Sequence, residues 1–373
     1  MKKKRVILLG NHAFVIYNFR KELIQQLLKD GYEVYLSMPY DDEKVPLMES
    51  WGCKYIETNV DRRGTNPIKD IKLIIHYIKI IIKNKPDIAL TYTVKPNLYG
   101  GLVCSFLRIP YLTNITGLGS GFKSENTLKK ILVILYKIAL KKSKKIYFQN
   151  TNDRDTLIQN QIVKREYKLI PGSGVNLLEF ELKPTPITEE IRFIFIGRIM
   201  KDKGIHEYLD AAKKIKLEFH DKVRFDVLGF IEKTEKELNE KINDLEKKGY
   251  INYLGYQSNV KSYIEDVHCL IQPSHGGEGI SNVLLEAGAM GKILIASNIP
   301  GCRETIEIGK NGFLFEAKNH DDLKEKIENV INLKKEDIIS MSNNSRGKME
   351  KEFDRNIVVN EYIKSIRKII FKG

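Results

Sequence analysis

The sequence predicts an α/β protein built as two doubly wound, parallel-sheet domains. Three observations predict it. Short apolar runs alternate with longer amphipathic ones along the 373 residues, as strands do with the crossover helices between them. The alternation breaks once, at Leu182-Lys-Pro-Thr-Pro-Ile-Thr188, where two prolines in three residues can continue neither a helix nor a central strand. It then restarts from a fresh apolar run. Two such sheets bind ligands outside the carboxyl ends of their strands, in a cleft.

In the first half, strands are expected at 5–9, 33–38, 53–57, 88–92, 111–114, 145–149 and 168–170. Helices are expected between them at 18–29, 69–84, 96–106 and 128–141. The 69–84 helix carries Lys69, Lys72, Lys79 and Lys83 on one face and isoleucines on the rest, as a helix docked on a sheet would. After the proline break, strands are expected at 192–196, 224–228, 251–254, 267–272 and 293–296. Helices follow at 204–219, 233–248, 260–265, 282–290, 326–331 and 354–371. The length suits two or three domains of about 100–200 residues.

Other classes are excluded early. With 42% hydrophobic residues the chain can build real cores, so it is no disordered basic tail. Cys53, Cys104, Cys269 and Cys302 show no CxxC spacing, which points to a reduced, cytoplasmic setting. The longest charge-free runs, 6–19 and 109–122, fall short of the ~20 apolar residues of a membrane span. Met1-Lys-Lys-Lys-Arg5 imitates the start of a signal peptide, but Gly10-Asn11-His12 interrupts the apolar stretch at once, so a first strand explains it better.

The formal charge of +14 is unevenly placed. Residues 1–187 hold 31 Lys and Arg against 17 Asp and Glu, whereas the remainder holds 31 of each. Eight lysines stand against one acid between residues 122 and 146. A solvated helix face is the ordinary explanation of such a run. Here the imbalance, with Ile131, Leu132, Ile134, Leu135 and Tyr136 interspersed, favours a surface that rests on anionic lipid. Lys123, Lys129, Lys130, Lys137, Lys141 and Lys142 are its candidate membrane-facing residues. No nucleic-acid module is visible, and nucleic acid is not expected as a partner.

Two constellations carry chemistry. Pro273-Ser-His-Gly-Gly-Glu278-Gly-Ile-Ser-Asn-Val-Leu-Leu-Glu286 follows a strand and opens a helix. Gly279 admits close backbone approach, Ser281 is a candidate N-cap, and the first-turn N–H groups can hold an anion or hydroxyls. Gly197-Arg198-Ile-Met-Lys-Asp-Lys203-Gly204 follows the first strand of the second half. A glycine turn, basic side chains and a helix start make a phosphate site, with Arg198 forking onto a diphosphate and Lys203 adding a point charge.

These motifs, with Pro300-Gly301-Cys-Arg-Glu304, Gly312-Phe313-Leu-Phe and Pro171-Gly-Ser-Gly174-Val-Asn176, resemble in type and order the retaining GT-B glycosyltransferases of family 4. The first half most resembles the branch serving capsule, O-antigen and N-glycan assembly, which includes enzymes that add N-acetylgalactosamine to undecaprenyl-diphosphate-linked sugars. The resemblance implies two Rossmann-like domains facing across a cleft. Residues 1–181 would bind the acceptor, 182–188 would be the linker, 189–353 would bind the nucleotide sugar, and a C-terminal helix at 354–373 would cross back onto the first domain.

It further implies a UDP-sugar donor, a lipid-diphosphate-linked acceptor, a peripheral position at the inner face of the plasma membrane, and no metal or other cofactor. Arg198 and Lys203 would stabilise the leaving diphosphate, and Glu278 would hold the donor sugar near its anomeric carbon. Backbone amides of Gly279, Ile280, Ser281 and Asn282 would support sugar and phosphate, Glu286 would hold the ribose, and Gly10 would bring the first domain's backbone to the donor. His12, Thr116 and Gly117 are acceptor-side candidates. A UDP-sugar epimerase or hydrolase on the same fold is the alternative reading, and a basic nucleic-acid-binding protein a more distant one.

Three positions depart from the family pattern. Three residues rather than two separate Pro273-Ser274 from Glu278. Ser281 replaces a proline, and Thr116 stands where the family often has histidine. Asp153-Arg-Asp155 matches a DxD metal motif but sits at an expected helix start, where Asn152 and Asp155 read as caps. Gly117-x-Gly119-x-Gly121 lacks the third glycine spacing of a dinucleotide fingerprint.

Overall fold

The computed structural model describes residues 3–61, 64, 66–118, 122, 127–232, 235–277 and 279–372. Two compact units emerge: Met1–Ser173 with Arg355–Gly373, and Gly174–Asp354.

Unit 1 begins β1 (Arg5–Leu9), α1 (Ala13–Lys29), β2 (Glu33–Met38), α2 (Lys44–Ser50), β3 (Lys54–Glu57), α3 (Pro67–Asn84) and β4 (Ile88–Tyr92). A π-helical turn at Pro96–Gly100 leads into α4 (Gly101–Leu107), then β5 (Tyr111–Ile115), α5 (Thr127–Leu140), β6 (Lys145–Phe148), α6 (Thr151–Gln159) and β7 (Tyr167–Leu169). Among the described residues the strands form one sheet, ordered β3-β2-β1-β4-β5-β6-β7. Every neighbouring pair is parallel.

Both faces of the sheet are covered, which is why its central strands read as unbroken apolar runs. In β1, Val6 and Leu8 join one core cluster with Ile16, Leu23 and Leu27 of α1. Ile7 and Leu9 join another with Leu73 and Tyr77 of α3 and Val103 of α4. Helix α3 carries more isoleucine than one docking face can bury. Leu73, Tyr77, Ile80 and Ile81 face inward, whereas Ile68, Ile71, Ile75 and Ile82 are exposed. Its outer face is therefore mixed rather than lysine alone. The cap of α6 is Asn150, not Asn152: the Asn150 side chain accepts from the Asp153 N–H at 2.8 Å.

Unit 2 runs β8 (Ile191–Ile196), a 3-10 turn (Lys201–Lys203), α7 (Ile205–Phe219), β9 (Val223–Leu228), α8 (Lys236–Lys247), β10 (Asn252–Gly255) and α9 (Val260–Glu265). It continues through β11 (Cys269–Gln272), α10 (Asn282–Ala289), β12 (Ile293–Ser297), β13 (Gly312–Phe315), α11 (His320–Ile331) and α12 (Lys335–Glu352). Its parallel sheet is ordered β10-β9-β8-β11-β12-β13, and the order reverses between β8 and β11. The proline stretch 182–188 is docked within this unit. The Lys183 N–H donates to the Met290 carbonyl at 3.3 Å, and the Thr185 hydroxyl reaches the Gly291 carbonyl and the Ser342 hydroxyl, each at 3.2 Å.

The last helix, α13 (Arg355–Lys372), belongs to unit 1. Arg355 Nη1 donates to both carboxylate oxygens of Glu22, at 3.0 and 2.9 Å. The Tyr362 hydroxyl accepts from Asn114 Nδ2 at 2.7 Å, and its ring lies 4.6 Å from that of Tyr147. Glu361 ion-pairs with Lys145 and Lys168.

One buried group gives unit 2 a pH dependence. His268 accepts from the Arg192 N–H through Nδ1 at 3.1 Å, and burial pushes its pKa down to about 4. An unfolded histidine titrates near 6.5, so below that pH the unfolded chain takes up a proton that the native site refuses. Stability is expected to fall as pH drops from about 6.5 to 4, by roughly 3 kcal/mol in all. Urea unfolding of wild type and His268→Asn at pH 7 and pH 4.5 checks this. The variant should show the flatter profile, and equal slopes would remove the assignment.

Candidate functional site

In unit 2 the two constellations occupy neighbouring strand ends at the reversal point, β8 and β11. The first loop leaves β8 at Gly197. A Cβ on Gly229 would stand 1.8 Å from the Gly197 carbonyl oxygen, so glycine lets the loops after β8 and β9 touch. The Ile199 N–H donates to the Phe230 carbonyl at 3.0 Å. Arg198 projects outward with its side chain 41% exposed, Nη1 lying 3.8 Å from Glu232. Lys203 ends the 3-10 turn, and Gly204, with φ 73°, starts α7.

The second loop leaves β11 at Pro273, and it is fastened to the first. A Cβ on Gly204 would lie 1.8 Å from the Pro273 carbonyl oxygen. The His275 N–H donates to the Asp202 carbonyl at 3.0 Å. His275 Nε2 stands 3.0 Å from Glu207 Oε2 on α7, both side chains nearly buried, without the alignment of a hydrogen bond. Gly276 and Gly277 then turn the chain with φ of 125° and 83°. Glu278 lies outside the described residues.

The start of α10 is held from behind. The Ser281 N–H donates to the Gly301 carbonyl at 2.8 Å, and the Gly301 N–H donates to Glu304 at 2.7 Å. The Pro300–Glu304 motif thus braces the helix start. Ser281 is the residue at the cap, but its hydroxyl makes no capping bond. Its backbone turns into the helix while its buried side chain faces protein. The Asn282 Oδ1 is buried without a hydrogen-bond partner among the described residues. Glu286, four residues on, shares its face of the helix and is partly exposed.

The structure thus places Arg198, Lys203, Gly279, Ile280, Ser281, Asn282 and Glu286 in the segments that follow the carboxyl ends of the two central strands, β8 and β11. Positive side chains and a helix N-terminus there can hold phosphate oxygens, and Glu286 can accept from hydroxyls. Sequence reasoning missed the clamp between His275 and Glu207. Its one signal was the extra residue between Pro273-Ser274 and Glu278.

The other candidates lie in unit 1, at the equivalent edge of its own sheet. Gly10 follows β1, donating to the Ser37 carbonyl at 2.9 Å. His12 caps α1 by accepting from the Phe14 N–H through Nδ1 at 3.2 Å. Half-buried Thr116 follows β5, and Gly117 has φ 129°. Thr93, after β4, holds φ 70°, which a β-branched residue rarely tolerates. Asp153 is occupied by its cap, and burial raises its pKa to about 6, while Asp155 pairs with Arg154. On α5, Lys130 and Lys137 are exposed and Lys129 is partly so, and Lys141 and Lys142, just after it, are exposed. Lys123 lies outside the described residues. Tyr136 packs into the core, whereas Ile131, Ile134 and Ile138 remain about half exposed.

Comparison with known proteins places the same two halves. Residues 179–348 match the family described as glycosyl transferases group 1, and residues 5–150 match the family described as glycosyl transferase 4-like. An N,N'-diacetylbacillosaminyl-diphospho-undecaprenol alpha-1,3-N-acetylgalactosaminyltransferase of Campylobacter jejuni is 26% identical over 98% of this chain and 99% of its own. A UDP-Gal:alpha-D-GlcNAc-diphosphoundecaprenol alpha-1,3-galactosyltransferase of Escherichia coli is 26% identical over 78% of each chain. Among solved structures, Anabaena Alr3699/HepE in complex with UDP and glucose superposes with a TM-score of 0.80. That match has 17% identity and covers 98% of this chain and all of that one.

Proposed function

With a glycosyl transferase 4-like first half and a second half of the glycosyl transferases group 1 family, the chain is a glycosyltransferase, and from that premise we propose that it is a retaining enzyme of cell-surface polysaccharide or glycan assembly. It moves a hexose or N-acetylhexosamine from a UDP-sugar to an undecaprenyl-diphosphate-linked saccharide. The observation that carries this reading is the pair of loops fastened together at the β8–β11 reversal point, a basic turn beside a helix N-terminus. The full-length likeness to the Campylobacter enzyme supports the acceptor class.

In this reading unit 2 holds the donor. Arg198 and Lys203 face the diphosphate, Glu286 accepts from the ribose hydroxyls, and the amides of Gly279 to Asn282 support sugar and phosphate. Glu278 holds the sugar near its anomeric carbon. As the bond from that carbon to the phosphate oxygen breaks, negative charge grows on the diphosphate, and fixed cations aimed there lower the barrier. The acceptor hydroxyl bonds to the same face of the sugar, and its proton passes to the leaving phosphate oxygen. No protein nucleophile and no metal is needed. Unit 1, with His12, Thr116 and Gly117 near its strand ends, takes the acceptor.

The test is a panel of UDP- and GDP-sugars with a lipid-diphosphate acceptor, with and without a chelator. Transfer from one UDP-sugar, undiminished by chelation, is expected. Equally fast product formation from donor alone would favour an epimerase or hydrolase, and loss of transfer on chelation would overturn the metal-free mechanism.

The enzyme further sits at the inner membrane face as a peripheral protein. Among the described residues no helix is long and apolar enough to cross a membrane. Half-exposed Ile131, Ile134 and Ile138 lie among the exposed lysines of α5, the composition of a face that meets anionic lipid. Each lysine near such a surface is worth about 1 kcal/mol. Lys130→Gln with Lys137→Gln should therefore weaken binding to anionic vesicles roughly tenfold or more while leaving UDP affinity unchanged. Vesicle sedimentation and calorimetry check this, and unchanged sedimentation would sink it.

A further inference from the structure

We propose that a basin on unit 1, lined by Arg108, Lys142, Lys144 and Arg165, binds the phosphate of an anionic phospholipid headgroup. The inference rests on the membrane-surface reading above, with which it shares Lys142, for the source of the phosphate; Arg108, Lys144 and Arg165 and the cavity they line are additional to it.

The basin is a cavity of about 420 Å³ where the C-terminal ends of α4 and α5 meet the chain entering β5 and β6. Its lining holds four cations and no carboxylate. Among the described residues none of the four is ion-paired to an acid. A larger cavity of about 800 Å³ near the same end of the unit is also rich in lysine, but its lining includes Glu166 and Glu361, which tie up Lys145 and Lys168, and Asp87, which pairs with Lys4. Lys144 lines both cavities, whereas Arg108, Lys142 and Arg165 line the smaller one, whose lining holds no carboxylate, so an anion is the ligand it fits.

Its cations are held in place without being neutralised. Lys142 Nζ donates to the Ser105 carbonyl at 3.2 Å, and Arg165 Nε donates to the Lys141 carbonyl at 3.0 Å. A guanidinium anchored through Nε keeps the forked end that suits phosphate oxygens. Arg108 occupies the left-handed position that ends α4, with φ 59°, where glycine is the common residue. Ser143 also belongs to the lining and is buried, its hydroxyl donating to the Lys145 carbonyl at 3.0 Å.

The rim favours a lipid over a soluble phosphate. Phe106, between the lining residues Ser105 and Arg108, is 77% exposed. Ile138, four residues before Lys142, is half exposed. A free phosphate has no use for exposed aromatic and aliphatic side chains beside its site, whereas a phospholipid has acyl chains to set against them. The headgroup would enter the basin while Phe106 and Ile138 meet the acyl boundary.

The test compares wild type with Arg108→Gln/Arg165→Gln, using Lys130→Gln/Lys137→Gln as a control that alters α5 but not the basin. Each is sedimented with phosphatidylcholine vesicles with and without phosphatidylglycerol, and titrated with glycerol phosphate and inorganic phosphate. The basin variant should lose roughly tenfold or more in affinity for the phosphatidylglycerol vesicles. It should also lose the ability of glycerol phosphate to compete, with UDP binding intact. Wild-type vesicle affinity in the basin variant, with the control variant weakened, would overturn the basin and leave the membrane reading standing. Phosphate binding without vesicle binding by wild type would overturn the lipid as occupant. Absence of both would overturn the site and the membrane reading together.

Discussion

Replacing Arg198 by alanine is expected to lower transfer about a hundredfold or more without changing the thermal unfolding midpoint. The two halves of that result have separate physical origins. The side chain is 41% exposed and its nearest acid, Glu232, is 3.8 Å away. An ion pair of that kind is worth about 0–1 kcal/mol, so the fold loses little. A fixed donor aimed at charge that develops during reaction is worth about a hundredfold to a thousandfold in rate. The loss should therefore fall on kcat more than on the KM for donor. Arg198→Lys should recover part of it, since a point charge remains but the fork is gone. Glu278→Ala should share the phenotype. Steady-state kinetics beside calorimetric melting decides it, and full activity in the Arg198 variant would mean the diphosphate is held elsewhere.

Gly204→Ala is expected to be the more damaging change, because it strikes the fastening between the loops. Gly204 has φ 73°, and its missing side chain leaves room for the Pro273 carbonyl oxygen, 1.8 Å from where a Cβ would stand. A left-handed backbone costs alanine about 1–2 kcal/mol by itself. The collision adds to that, since a backbone carbonyl cannot swing aside as a side chain can. Gly249 supplies a matched control, with the same φ of 73° and nothing within 4 Å of its virtual Cβ. Gly249→Ala should show only the backbone cost. Gly204→Ala should melt lower still, and UDP affinity should fall by about tenfold or more as the β8 and β11 loops separate. Equal melting and equal UDP affinity in the two variants would show that the approach of the loops does not shape the site.

Much of this architecture was legible in the residues. The strand positions could be read because a strand covered on both faces, such as β1 or β4, is an uninterrupted apolar run. The neighbouring positions of Arg198, Lys203 and Glu286 could be read because each follows the end of a strand in the same short-run, long-run alternation. Helix α12 could not be read. Its buried face consists of Ile338, Met341, Ser342, Ser345 and Met349, so the helical period is written partly in serine. Ser345 is accommodated by hydrogen bonds to the carbonyls of Lys292 and Asn311, which no local pattern reveals. Strand β13 hides for a related reason. Gly312 has no side chain because the Leu294 backbone takes its place. The contact between His275 and Glu207 joins the loop after β11 to the first turn of α7, which only the sheet brings together, so its meaning exists only in three dimensions.

The return of α13 to unit 1 has a consequence for the order in which the molecule can be made. A ribosome releases residues 174–354 in full before it releases 355–373. Unit 2 can therefore close on its own while unit 1, though its sheet was synthesised first, still lacks Val358, Val359, Tyr362, Ile363 and Ile366 from its core. Until those arrive, Tyr147 has no ring to pack against from α13, and Glu22 has no Arg355. The half of the protein that is translated first cannot complete its core until the last residues of the chain are made.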